Sequence, residues 1–198
     1  MEAALSDPRI KTATGPTILL HSGHYFDLLD PAASRFTVGD IAHGLGNVCR
    51  FAGQSRRFYS VAEHCWHASF LVPHLLAFPV LMHDAAEAFV GDVTRPLKSL
   101  LPEYKAIEKR IDAVIAERFK IKLSQPAVEE ITRADIAMLA AEQAAMMASH
   151  DDSWSILDGV TPPAIHFRYW SPEEAAWRWL ERFEALAFGP AYDLEYMP

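Results

Sequence analysis

The chain has 198 residues, is 51% hydrophobic and 22% charged, and carries a net charge of −8. This is globular rather than disordered composition, and the acidic balance argues against general binding to nucleic-acid polymers, which needs a basic footprint. The opening residues do not resemble a signal peptide, the two cysteines form no C-x-x-C pair, and the most apolar run, residues 70–82, is broken by Pro73, His74 and Pro79. No disulfide framework, no membrane span and a cytoplasmic location are therefore expected.

Taken in order, residues 1–16 read as a loose N-terminus. Residues 17–29 lack a helical period and read as extended segments around a turn at Ser22-Gly23. A helix starts at Thr37, with Asp40 as a capping-box acid, and runs to about Arg50. Residues 53–57 form a loop. Ser60, with Glu63 three residues on, caps a helix carrying Val61, His64, Cys65, Ala68 and Leu71, which Pro73 ends or bends. A third helix is expected over residues 79–90 with Gly91 just past its end, followed by a short turn or helical piece at Thr94–Lys98. Pro102 opens a helix to Phe119 with Ile107, Ile111, Val114 and Ile115 as the buried stripe. Ser124-Gln125-Pro126 opens a long helix carrying Asp135, Met138 and Glu142 and running to about Met147. Residues 149–170 are irregular. Ser171-Pro172-Glu173-Glu174 starts a last helix, which carries Trp177, Leu180 and Phe183. The sum is an all-α bundle of about seven helices with a short extended N-terminal segment, in one domain spanning residues 1–198.

Leu81-Met82-His83-Asp84-Ala85-Ala86-Glu87 sets adjacent polar side chains in an apolar segment, where each unpaired polar group costs roughly 2–7 kcal/mol. Helical spacing lets His83, Asp84 and Glu87 converge on one point, with small residues between them. His64 on the preceding helix and Asp135 on a later one supply a second imidazole and a second carboxylate. Such a mixed N/O set suits Mn²⁺, Co²⁺, Fe²⁺, Ni²⁺ or Zn²⁺. A metal held there lowers the pKa of its water towards roughly 7–9, giving a nucleophile able to attack phosphorus. Glu87, one turn away, is placed to handle a proton or to order a second water. His67, one turn past His64, reads as a supporting rather than a ligating histidine.

The order His64, His83-Asp84, Asp135 resembles the H…HD…D pattern of the HD-domain metal phosphohydrolases. Residues 57–64 (RFYSVAEH), 83–87 (HDAAE), 91–98 (GDVTRPLK) and 105–108 (KAIE) resemble the YfbR-like 5′-deoxynucleotidase branch, over about residues 40–147. Phage deoxyadenylate triphosphohydrolases share the set. The resemblance implies an HD-domain helical bundle that hydrolyses (deoxy)nucleotides with a divalent metal at His64, His83, Asp84 and Asp135. It implies catalytic roles for Glu87 and Asp92, the latter around the phosphate or a second metal such as Mg²⁺. Arg50 and Phe51 match the pair that grips the nucleotide, and Arg95 and Lys98 are placed to reach outer phosphates. It also implies a homo-oligomer, a dimer or larger. Two other readings stand beside it: alarmone or cyclic-nucleotide hydrolysis, and a nucleotide sensor without turnover. The alarmone hydrolases carry an extra Glu-Asp pair shortly after the His-Asp, whereas Ala88 follows Glu87 here.

Overall fold

The computed structural model describes residues 15–189, so most of the expected loose N-terminus, residues 1–14, lies outside the described residues. Two short strands, β1 (Thr17–Leu19) and β2 (Tyr25–Asp27), pair antiparallel with Ile18 opposite Phe26. Gly23 turns the hairpin with a left-handed φ of 82°, a conformation glycine adopts without steric cost. Phe26 is fully buried and packs against the rings of Phe36 and Phe89, which fastens the hairpin to the helical core.

Eight α-helices follow among the described residues, so the fold is all-α as expected: α1 (Val38–Asn47), α2 (Val61–Ala68), α3 (His74–Leu81), α4 (Glu87–Val90), α5 (Arg95–Ser99), α6 (Pro102–Arg118), α7 (Gln125–Met146) and α8 (Pro172–Phe188). Thr37 and Asp40 form the capping box at the start of α1, each side chain accepting from the other's backbone N–H. Gly44 lets α1 cross α4 closely, since a Cβ there would meet the Ala88 carbonyl oxygen at 2.7 Å. Cys49 lies in an extended bridge opposite Ser60 rather than in the helix expected to reach Arg50.

The helix expected over residues 79–90 is two helices. The first begins earlier, at His74, and ends at Leu81; the second begins at Glu87. Between them the chain tightens into i→i+3 bonds, His83 N to Val80 O, Ala85 N to Met82 O and Glu87 N to Asp84 O. The His83 ring also donates from Nδ1 to the Val80 carbonyl at 2.7 Å. A side chain thus occupies the carbonyl that a continuing helix would offer to the N–H of residue 84.

Helix α8 lies across α1, α2 and α3. Its inner face carries Ala175, Trp179, Phe183 and Leu186, and the Trp179 indole N–H donates to the Leu81 carbonyl at 3.2 Å. Trp177 is 52% exposed. It sits about 200° round the helix from Trp179, so only one of the two can face the core.

Glu63 also departs from expectation. Ser60 Oγ accepts from Glu63 N–H, but the Glu63 carboxylate does not complete the box. It accepts the backbone N–H groups of Arg168, Tyr169 and Trp170 at 2.6, 3.0 and 2.9 Å, pinning the segment before α8 onto α2. Burial would raise its pKa, but His67 and these three donors hold it below the usual carboxylate range. Glu63→Ala removes the acceptor for all three, and unfolding in urea should show a loss of about 3 kcal/mol. A loss below about 0.5 kcal/mol would mean that water replaces the carboxylate at no cost. Among the described residues no helix is long and apolar enough to cross a membrane.

Candidate metal centre

Four side chains that the sequence singles out meet at one point. His64 comes from α2, His83 and Asp84 from the tight turn between α3 and α4, and Asp135 from α7. The Nε2 atoms of His64 and His83 lie 3.3 Å apart. Asp84 Oδ2 is 3.6 Å from His64 Nε2 and 3.3 Å from His83 Nε2. Asp135 Oδ1 is 3.4 and 3.9 Å from the same two atoms. With bonds of about 2.1 Å, donors on one ion sit about 3.0 Å apart in octahedral and about 3.4 Å apart in tetrahedral arrangement. Among the described residues His64, His83 and Asp84 form a triad that could hold a metal ion, and Asp135 Oδ1 approaches both imidazoles from the α7 side.

The hydrogen bonds behind the imidazoles bear on what lies between them. His64 Nδ1 faces Glu142 Oε1 at 2.6 Å, and His83 Nδ1 faces the Val80 carbonyl at 2.7 Å. Both partners are acceptors, so both Nδ1 atoms carry hydrogen, and in the neutral rings both Nε2 atoms present lone pairs. Two lone pairs aimed at each other with carboxylates on either side call for a positive charge between them. The electrostatics agree. Burial works against charge on His64, as does Arg50, yet Glu142 and Asp135 raise its pKa above the usual histidine value. His83 is raised further, against burial, chiefly by Asp84. Burial would raise Asp135, but its contacts with His64 and His83 hold it well below the carboxylate range. A divalent cation answers the same demand as these protons and fits the donor set.

Arg50 is buried beside this group. Its Nε and Nη2 donate to Glu142 Oε2 at 3.3 and 3.0 Å, and Nη1 lies 3.6 Å from Asp84 Oδ2. Burial opposes its charge, and Glu142, Asp84, Asp135 and Asp92 together keep it firmly cationic. Phe51 and Ala52 follow with left-handed φ values of 56° and 50°. Each such non-glycine residue costs roughly 1–2 kcal/mol, strain that is found preferentially at functional sites. The turn leaves the half-buried Phe51 ring 5.5 Å from the guanidinium carbon of Arg50.

Glu87 opens α4, is 6% exposed, and has one carboxylate oxygen buried without a hydrogen-bond partner. Burial, with Asp84 and Asp92 nearby, pushes its pKa up to about 10. Burial raises Asp92 as well, against Arg50, and Asp84 adds to the rise. At the rim, Lys98 Nζ pairs with Glu108 at 2.6 Å and lies 3.8 Å from Glu87, while the mostly exposed Arg95 reaches 3.9 Å from Asp135 Oδ2.

Glu142 is the residue of this group to which sequence reasoning gave no role. His67 stays outside the ligand set, stacked against Trp170 and 3.5 Å from Glu63. His21 and His43 stack on each other, with ring centroids 4.0 Å apart. A cavity of about 610 Å³ opens beside the C-terminal half of α7, where Gln143, His150 and Trp154 help to line it. None of the four convergent side chains lines that cavity.

No family model matches the chain. It is 40% identical over 167 residues to the uncharacterized protein YfdR of Escherichia coli, an alignment covering 82% of this chain and 90% of YfdR. The chain belongs to the YfdR family. An uncharacterized protein of Rhodobacter capsulatus is 37% identical over 142 residues, covering 63% of this chain and 70% of that protein.

Proposed function

We propose that this member of the YfdR family is an HD-type, divalent-metal-dependent phosphohydrolase acting on (deoxy)nucleotides. The observation that carries the reading is the pair of Nε2 lone pairs 3.3 Å apart, flanked by Asp84 and Asp135, with the Arg50 guanidinium 3.6 Å from Asp84. A cation site and a fixed positive side chain that close together suit a phosphate ester, whose oxygens can meet both.

A divalent ion held by His64, His83, Asp84 and Asp135 supplies Lewis acidity towards water and phosphoryl oxygen. The rest of the work falls to the chain. Arg50, immobilised by Glu142, offers Nη1 to a phosphate oxygen and orients the ester. Phe51, held out by its strained turn, gives a flat apolar surface to the nucleoside. Glu87 is buried, rich in proton affinity and one turn from Asp84, so it exchanges the proton that must move as the P–O bond breaks. Asp92 balances the charge of Arg50 on the same side. Arg95 and Lys98 stand at the rim, where further phosphates of a longer tail would lie.

The test is a substrate panel. Protein stripped of metal and reloaded with Co²⁺, Mn²⁺, Ni²⁺ or Zn²⁺ is offered deoxynucleoside mono- and triphosphates, with orthophosphate, pyrophosphate and tripolyphosphate read separately. Orthophosphate from monophosphates marks a 5′-deoxynucleotidase, and tripolyphosphate from triphosphates marks a triphosphohydrolase. Release no faster than in the stripped protein, with every metal and substrate, would overturn the proposal.

A further inference from the structure

Glu142 lies on α7 seven residues after Asp135, two turns along the same face, and is fully buried. A buried carboxylate is costly unless its oxygens are paired. Here each oxygen has a different partner. Oε1 accepts from His64 Nδ1 at 2.6 Å, and Oε2 accepts from Arg50 Nε and Nη2 at 3.3 and 3.0 Å. One rigid group thus fixes the tautomer and tilt of a metal-ligating imidazole and the aim of the cation offered to phosphate. Three N–H donors converge on its two oxygens, so the carboxylate accepts on both sides.

We infer that Glu142 is a positioning residue that ties the metal ligand His64 to the phosphate-binding Arg50, so that one side chain sets both metal affinity and phosphate affinity. The inference rests on the phosphohydrolase reading. A carboxylate that only neutralised Arg50 would need no contact with His64, and one that only oriented His64 would need no fork from Arg50. Glu142 makes both contacts, to residues 78 and 92 positions away.

Glu142→Gln separates the two roles chemically. An amide has one acceptor oxygen and one donor nitrogen, whereas three N–H groups point at this position. If the amide nitrogen turns towards His64, the imidazole must accept at Nδ1 and carry its hydrogen on Nε2, where the metal binds. If it turns towards Arg50, two donors face each other and the guanidinium shifts.

The experiment uses the full chain and two probes that need no turnover. Co²⁺ is titrated into metal-free protein and followed by visible absorption, and inorganic phosphate is titrated calorimetrically into the Co²⁺-loaded protein. Loss of a partner behind a metal ligand typically weakens metal binding by about 10–100-fold. Glu142→Gln keeps an acceptor for only one partner and should lose about that much for Co²⁺ or about tenfold or more for phosphate, whereas Glu142→Ala offers neither partner an acceptor and should lose both, with far-ultraviolet circular dichroism unchanged. Arg50→Lys should weaken phosphate alone. Should the glutamine variant fail to fold, Glu142→Asp keeps the buried charge but is one methylene too short to meet both partners, and at least one affinity should fall about tenfold. A folded Glu142 variant that binds both probes as wild type does, or a folded Glu142→Ala that loses only one of them, would overturn the tie. Wild-type protein that takes up no Co²⁺ would overturn the metal-dependent reading together with it.

Discussion

Asp84→Ala should abolish metal uptake and hydrolysis together while leaving the helices intact. Asp84 Oδ2 stands 3.3 Å from His83 Nε2 and 3.6 Å from His64 Nε2, so it supplies the oxygen donor nearest both imidazoles. Without it the site offers two neutral nitrogens and Asp135, and Arg50 at 3.6 Å loses one of the charges that hold it. Lewis-acid assistance contributes several kcal/mol to such reactions, so kcat/KM should fall by at least about 10³-fold. The fold should survive, because Asp84 lies in the turn between two helices, with its side chain 20% exposed. Removing one carboxylate from a group that also includes Glu87, Asp92 and Asp135 relieves repulsion as well as losing a ligand. Metal content by mass spectrometry, read beside circular dichroism of the same sample, checks this. Undiminished hydrolysis by thoroughly metal-free Asp84→Ala would remove the case for a metal at this centre.

How much of this could be read from the sequence depends on whether a residue's role is local. Thr37 with Asp40, and Ser171 with Pro172, announce helix starts because a cap is decided within four residues. His64, His83, Asp84 and Asp135 stand out because each is a polar group in an apolar helical context, and the structure brings all four together. The break at residues 82–86 was hidden because Ala85-Ala86-Glu87-Ala88 is strongly helix-favouring text, while the His83 ring bond to Val80 that tightens the chain leaves no compositional trace. Glu63 reads as a capping-box acid, and nothing nearby in sequence reveals that its carboxylate serves three amides more than a hundred residues away. Glu142 was missed for a related reason. One Glu on a long helix is ordinarily a solvated charge. Its spacing of seven from Asp135 was the available signal, since it places a second carboxylate on the face that carries a candidate ligand.

Glu87→Gln should lower kcat by about 10²–10⁴ while leaving bound metal and KM nearly unchanged, because a proton-transfer group acts mainly in the transition state. The position makes little sense as a stabilising feature. The side chain is 6% exposed, one oxygen is buried with no hydrogen-bond partner, and its cationic neighbour Lys98 is 3.8 Å away and closer to Glu108. A buried, half-satisfied carboxyl costs stability, and burial with Asp84 and Asp92 beside it raises its pKa to about 10. A raised carboxyl pKa favours the neutral form, so deprotonation there costs stability at neutral pH, and a cation bound at the neighbouring centre acts in the opposite direction by favouring the carboxylate. Glutamine is neutral at every pH and nearly the same shape. The variant should therefore melt no lower than wild type, and Lys98 keeps its bond to Glu108. The expected signature is a large loss of kcat with Tm equal or higher and Co²⁺ stoichiometry intact. If Co²⁺ content instead falls in proportion to activity, Glu87 is a ligand, and the proton must be handled by another group, for which Asp92, also raised by burial, is a candidate.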